Sequence, residues 1–425
     1  SPSSAVGTKV TTTIFDNNPT GIGADYNIGR PLEVTSTTTA YSNTSTSKEI
    51  FTYSGNKLIK TEKKGNTADL KFLIEEFVYN PVGNVIKKTL SSSGYNPLET
   101  FAPRVTEYTY DSTERFVKTS KDIEGLVATN VSFHPLYGIV TETLSPYGLT
   151  SKVYVDHWGK VFKSTDYLGK NTTITYSKTS NEYTTTKSGE DGSLSVLISD
   201  ALGRPKKSGQ KNIDGTWSYK TVEYDYLGRK FRESEPFTSS PSLWTTYTYD
   251  DYSRLKTQTY PTGVISTLNY SNTTISGTVD YADGGSPKFS SSTKNANGHV
   301  ISSSDNGGVI NFQYYADGNL KNSNYSGTVV SMEYDEWGRK KKLNDPSAGE
   351  YTYTYNAIGE LLTETTPNGT TTNTYDDFGN ILESTIIGTN TDSKTEYTYD
   401  ATTKLLTNLK YTDFNNGGAY DEYSY

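Results

Sequence analysis

The sequence predicts an all-β fold, a repeat array of antiparallel β-hairpins with about 20–25 residues per unit. Three observations carry this prediction. Tyr alternates with Thr in short runs, a turn signature follows each run, and the combination recurs at near-constant spacing.

The first strand of a unit is plainest at Tyr351-Thr352-Tyr353-Thr354-Tyr355. Period-two alternation places Tyr on one face of a strand and Thr on the other, and both residue types favour strands. Thr-Glu-Tyr-Thr-Tyr-Asp occurs at 106–111 and again, unchanged, at 395–400. The turn follows as Asp/Asn-x-x-Gly, at Asp156/Gly159, Asp200/Gly203, Asp225/Gly228, Asp335/Gly338, Asn356/Gly359 and Asp376/Gly379. Asp or Asn opens a turn by accepting a backbone N–H two residues on. Gly in fourth place takes positive φ at little cost. A second short strand then runs through Asn380-Ile381-Leu382-Glu383-Ser384-Thr385, and Pro367-Asn368-Gly369 marks the second turn type.

The glycines set the period: Gly298, Gly318, Gly338, Gly359 and Gly379 are 20, 20, 21 and 20 residues apart. One hairpin alone is marginal in water, so neighbours must stack to bury the shared Tyr/Leu face. Helix content is expected near zero. Ala68–Glu76 is the sole helix candidate, and it is read instead as a strand leading into Phe77-Val78-Tyr79-Asn80. Residues 1–20 read as an N-terminal extension or degenerate strand. Residues 21–425 read as one continuous array, degenerate over 21–200 and regular over 200–425, with Ala24-Asp25-Tyr26 still opening a recognisable turn.

Composition excludes several classes of function. Of 425 residues only 32% are hydrophobic, yet 36 are Tyr, so a core must be built from aromatic rings and thin apolar stripes. There is no apolar run of about 18 residues, which argues against a membrane-spanning helix. Zero Cys removes disulfides, thiolate metal sites and a Cys nucleophile. A net charge of -8 argues against nucleic acid as a partner.

Tyr-Asp-x-x-Gly-Arg recurs at 224–229 and 334–339, with variants at 249–254 and 375–380. These hexamers resemble the YD-repeat, or Rhs, family, and the resemblance covers roughly residues 20–425. It implies a spiralling YD-repeat sheet or part of a hollow shell. In bacterial Rhs proteins and toxin-complex components such a shell encloses a toxic C-terminal segment, and teneurins carry a related barrel on the animal cell surface. Some members are described as carbohydrate-binding. The Asp-Pro-x-Gly-Leu-like motif of self-cleaving shells is absent, since Asn344-Asp345-Pro346-Ser347-Ala348-Gly349 lacks the pattern. The self-cleaving role therefore transfers to no residue here. The final Tyr420–Tyr425 reads as a strand entering another turn, and the whole as a segment of a longer protein.

Chemistry candidates all have a simpler reading. Asp250-Asp251 and Asp376-Asp377 fall in the repeat turn, where sequence adjacency does not place two carboxylates across a glycosidic bond. The turn aspartates lack the spacing of a calcium loop, although Asp280-Tyr281-Ala282-Asp283 could gather oxygens around a surface calcium. His134, His157 and His299 have no patterned Ser or Asp partner. Arg339-Lys340-Lys341-Lys342 reads as Lys placed against edge-to-edge aggregation. No cofactor or metal is expected.

The expected function is a non-catalytic structural scaffold of a large secreted or cell-surface bacterial protein. Its partners would be a polypeptide cargo such as a toxin, or other segments of the same large protein. The alternative is a carbohydrate- or receptor-binding module using Trp158 and Trp337, and a more remote one is a hydrolase.

Overall fold

The computed structural model describes residues 7–23, 26–389, 391–415 and 417–425. The opening Ser1-Pro2-Ser3-Ser4 and the turn residues Ala24-Asp25 lie outside the described residues. Within them the chain forms 35 β-strands and no α-helix. Strand pairing is antiparallel and joins strands that follow one another in sequence, so the predicted all-β array of hairpins is what forms. Contacts divide the chain into two compact units, Ser1–Ala128 with Ile310–Tyr425, and Thr129–Val309.

The first unit shows the repeat most clearly. Strand Gly349–Tyr355 pairs with Leu361–Thr366, placing Tyr353 opposite Glu364, Thr354 opposite Thr363 and Tyr355 opposite Leu361. The register slips by one residue between Thr354 and Tyr355, a β-bulge beside the turn. The Thr face is ordered by cross-strand hydroxyl contacts, 2.7 Å between Thr354 and Thr363 and 2.6 Å between Thr109 and Thr119. Strand Gly7–Asn18 pairs with Asn27–Ala40 over eleven aligned residues.

The second unit repeats the pattern. Strand Trp217–Tyr224 pairs with Lys230–Ser234, and its slip lies between Glu223 and Tyr224. Trp244–Tyr249 pairs with Leu255–Thr259 with a slip between Thr248 and Tyr249, and Thr248 meets Thr257 at 2.6 Å. Asp283-Gly284-Gly285-Ser286 connects Thr274–Asp280 to Lys288–Lys294, a turn as its composition implies.

The interior is thin. Among the described residues the fully buried hydrophobic side chains are those of Ala40, Ala316 and Ala357. Apolar burial is therefore shared among many half-covered Tyr, Leu, Ile and Val side chains rather than concentrated in a core.

Two local expectations change. The strand expected to take in Ala68–Glu76 begins only at Phe72, because the preceding loop is held elsewhere: the Asn66 N–H donates to the Glu336 carbonyl at 2.7 Å. The basic run Arg339–Lys342 does not guard an edge. Strand Lys340–Asp345 is paired on both sides, and Lys342 Nζ binds Glu350 Oε2 on the neighbouring strand at 2.8 Å.

Glycine in fourth place of the turn is a conformational requirement. Gly203 has φ +81° with open space where a Cβ would stand, whereas Ser253 holds the same place at φ +63°. A left-handed conformation costs a non-glycine residue about 1–2 kcal/mol. Gly203→Ala should therefore destabilise the chain by about 1 kcal/mol. Ser253→Gly should stabilise it by under about 1 kcal/mol, because added unfolded-state freedom offsets part of the relief. Urea midpoints of the two variants, moving in opposite directions, check this.

Candidate functional site

The repeating turn is the densest chemistry on the chain, and Asp225 shows how it works. Its Oδ1 accepts the backbone N–H of Leu227 at 3.0 Å and of Arg229 at 2.9 Å. Its Oδ2 accepts Arg229 Nε at 2.7 Å. The Arg229 guanidinium then lies 4.5 Å over the ring of Tyr249, the strand-end Tyr of the next repeat. The Tyr249 hydroxyl donates to the Lys230 carbonyl at 2.7 Å, at the bulge just after that same turn. One Tyr-Asp-x-x-Gly-Arg motif thus closes its own turn and receives the Tyr of its successor.

The same contacts recur. Asp200 accepts Leu202 and Arg204 N–H groups, each at 2.9 Å, and Arg204 lies 4.4 Å over Tyr224, whose hydroxyl meets the Pro205 carbonyl at 2.8 Å. Asp335 accepts Trp337 and Arg339 N–H groups, each at 2.9 Å, while Tyr355 donates to the Lys340 carbonyl at 2.8 Å. Asp156 serves Trp158 and Lys160, Asn356 serves Gly359 and Glu360, and Asp376 serves Phe378 and Asn380. The glycines Gly159, Gly228, Gly338, Gly359 and Gly379 all hold positive φ. Tyr110, Tyr334, Tyr375 and Tyr399 donate to the Val85, Leu320, Leu361 and Ile381 carbonyls in the same way.

The electrostatics follow this geometry. Hydrogen bonds from the Thr113 hydroxyl, and from the Phe116, Arg115 and Thr113 N–H groups, hold Asp111 down to about 2. The Lys160 and Trp158 N–H groups lower Asp156. At Asp200, Asp225 and Asp250 partial desolvation is the largest single effect and pushes upward, but hydrogen bonds from the turn N–H groups and the Arg outweigh it. Desolvation raises the lattice tyrosines Tyr110, Tyr249, Tyr334, Tyr355, Tyr375 and Tyr399.

Within the first unit a second arrangement appears that spacing alone did not reveal. Turns of the 310–425 stretch meet loops of the 1–128 stretch. The Ala316 N–H donates to Asn43 Oδ1 at 2.5 Å, and the Ala357 N–H to the Glu99 carbonyl at 2.7 Å. Trp337 Nε1 donates to the Tyr95 hydroxyl at 2.7 Å. Arg104 pairs with Glu360, and Asn380 Nδ2 donates to Glu124 Oε1 at 2.7 Å. Lys71 pairs with Glu99 at 3.3 Å and approaches Glu336 at 3.9 Å. Gly65 sits so close that a Cβ would come within 2.1 Å of the Glu336 carbonyl oxygen. The sequence signal for these partners is weak, because Asn43, Tyr95 and Glu99 belong to no repeated motif.

The remaining candidates separate. Trp158 is 76% exposed, whereas Trp337 is half-buried in the seam just described. His134 stacks on Tyr137 at 4.8 Å and His157 lies 4.7 Å from Trp158, neither within hydrogen-bonding reach of a Ser–Asp pair. Asp250 and Asp376 cap their turns through hydrogen bonds to the backbone. Asp283 Oδ1 accepts the Gly285 N–H at 3.0 Å, and no cluster of three or more metal-ligating side chains occurs among the described residues.

Two measurements check this lattice. Tyr249→Phe keeps the ring under Arg229 but removes the hydroxyl, and should cost about 1 kcal/mol, while Tyr252→Phe on an exposed turn tip should cost nothing measurable. The second is pH. Below about pH 4 the unfolded chain protonates its aspartates while the folded turns still hold theirs ionised, so stability should fall from about pH 4 towards 2. Above about pH 10 the unfolded chain releases tyrosine protons that the folded chain retains, so stability should fall again. Urea midpoints followed by circular dichroism should be highest between these limits.

Residues 288–420 match the family model described as teneurin YD-shell. No curated protein matches the sequence. Among solved structures, the Tc holotoxin pore of Photorhabdus luminescens is 13% identical, with a TM-score of 0.44 over 92% of this chain and 27% of that one. A TcdB2–TccC3–TEV structure is 12% identical, with a TM-score of 0.47 over 92% of this chain and 27% of that one. A TcdB2–TccC3 structure is 12% identical, with a TM-score of 0.44 over 90% of this chain and 30% of that one. The chain thus spans only 27–30% of the length of these three chains. The turns at Asn295, Tyr315, Asp335, Asn356 and Asp376 all fall within the matched 288–420. Residues 288–420 are therefore similar to the teneurin YD-shell family, and the same turn chemistry runs from these repeats back through Asp225, Asp200 and Asp156.

Proposed function

We propose that the chain is a non-catalytic structural scaffold of a large secreted or cell-surface bacterial protein, encapsulating or presenting a partner polypeptide such as a toxin. The observation that carries this reading is the lattice itself. The groups best suited to chemistry are bound to one another: turn Asp to backbone and Arg, Arg to the next Tyr, and that Tyr to a backbone carbonyl. Among the described residues, every Asp or Glu displaced from its ordinary range is displaced downward, as at Asp111 and Glu233, both about 2. A general acid at neutral pH needs the opposite displacement. The family match supports a structural role in the same direction.

A scaffold of this kind acts by steric enclosure. Continuous strand pairing leaves few free backbone groups for a protease to engage as an added strand. No helix among the described residues is long and apolar enough to cross a membrane. A second reading, a carbohydrate- or receptor-binding surface, is favoured by one observation, the 76% exposure of Trp158.

The chain carries 40 Lys and Arg, so trypsin is a severe test. The expected outcome is a β-type circular dichroism spectrum and a largely intact chain after extended digestion. In the secreted protein, the partner polypeptide should stay protected until the chain is unfolded. Rapid complete digestion, or a partner cut equally fast with and without the folded chain, would overturn the scaffold reading. Glycan binding lost in Trp158→Ala with the spectrum unchanged would favour the binding module.

A further inference from the structure

In the first unit the loop 94–103 joins strand Val85–Ser93 to strand Arg104–Tyr110, and its own contacts hold it in place. Asn96 Oδ1 accepts the Leu98 N–H at 2.8 Å, and the Thr100 hydroxyl donates to the Pro97 carbonyl at 2.8 Å. The Glu99 carbonyl is fixed by the Ala357 N–H. Gly94 is pressed against Leu70, where a Cβ would come within 1.9 Å of the carbonyl oxygen. The loop thus stands beside strands Leu361–Thr366 and Gly369–Tyr375 and leaves an open cleft of about 600 Å³. Leu98, Phe101 and Ala102 line it from the loop, Leu362 and Tyr375 from the strands. Leu98 is 84% exposed although it belongs to this apolar wall. A preformed, mostly apolar cleft of this size is the usual form of a small-molecule site, in which a few polar groups decide the ligand's chemistry.

Here the charged groups are of one sign. Glu99, Glu360, Asp376 and Asp377 line the cleft, and among the described residues no Lys or Arg does. Two of the four are already matched, Glu99 by Lys71 and Glu360 by Arg104. Asp376 is bound by neutral donors, the N–H groups of Phe378 and Asn380 and the Asn380 side-chain amide. Asp377 is exposed and engages no partner among the described residues. Two neighbouring carboxylates beside apolar walls attract a cation more strongly than either would in open water. An anion would be repelled there, and a neutral apolar ligand would desolvate the carboxylates without replacing their lost hydrogen bonds.

We propose that this cleft binds a small organic cation, a primary ammonium carried on a hydrocarbon body. The body lies against Leu98, Phe101 and Leu362, and the ammonium donates to Asp377, with the charge of Asp376 adding to the attraction. Asp376 keeps its role in the turn, while Asp377, the second carboxylate of that pair, is left for the ligand.

The test titrates the full chain with 2-phenylethylammonium, 2-phenylethanol and 3-phenylpropionate, followed by ligand-observed NMR. The ammonium should saturate the chain and bind about ten-fold more tightly than the alcohol, the gain expected from one charge-assisted hydrogen bond. The propionate should bind more weakly than the alcohol. Asp377→Asn should abolish the preference for the ammonium and leave the alcohol's affinity unchanged. Leu98→Ala should weaken ammonium and alcohol alike. Asp251→Asn, at the same place in a turn of the second unit, should change neither. Asp377 and Leu98 are both exposed, so the circular dichroism spectrum should be retained in their variants. No saturable binding of the ammonium, equal affinity for ammonium and alcohol, or a preference that survives Asp377→Asn would overturn the proposal. The titration needs no partner polypeptide, so its outcome is independent of the scaffold reading.

Discussion

A tyrosine at the end of the first strand ties many of the repeats together. Its hydroxyl reaches the carbonyl exposed at the bulge of the preceding repeat, and where Arg follows the turn glycine there, as at Arg204, Arg229 and Arg339, the ring lies under the guanidinium. A bulge takes one residue out of the ladder, and an unmade backbone hydrogen bond is costly when it is half-buried. Here the Tyr hydroxyl makes up that deficit. The interaction therefore links register, twist and repeat-to-repeat order in one contact. It also explains why this Tyr is replaced by no other aromatic at 224, 249, 334, 355, 375 and 399: Phe would supply the ring without the donor.

The sheet tolerates its low hydrophobic content because stability is distributed. A typical hydrogen bond contributes about 1 kcal/mol net, and a cation over an aromatic ring about 0.5–1 kcal/mol at exposed sites. Neither would hold a fold alone, but the Tyr hydrogen bond recurs along the array and the cation contact joins it in several repeats. The same distribution commits the polar side chains. Asp225 cannot act as a free base while its two oxygens hold Leu227, Arg229 and the guanidinium together. Here the turn residues that look chemical are bound into the framework.

The first unit adds a longer-range principle. Turn tips that are small, such as Ala316 and Ala357, or that end in a donor, such as Trp337, are matched to loops with acceptors or a glycine. Large exposed tips such as Tyr226 and Tyr252 occupy equivalent positions in the second unit. One turn chemistry thus supports two surfaces, one closed over by loops and one open.

Much of this was legible in the sequence because it is local. Tyr/Thr alternation, the Asp and Gly of the turn and the period of about 20 residues each act within a few positions of the chain, so they fixed strands, turns and the hairpin array. Two misplacements, at Ala68–Glu76 and Arg339–Lys342, arose where a distant neighbour took over: Glu336 holds the first, and a strand on either side encloses the second. Which Tyr meets which carbonyl, and that Asn43, Tyr95, Glu99 and Arg104 close over turns more than 240 residues away, is decided only by tertiary structure. Those partners are single residues without periodicity, and their contacts depend on where the accumulated geometry of many hairpins brings two loops together.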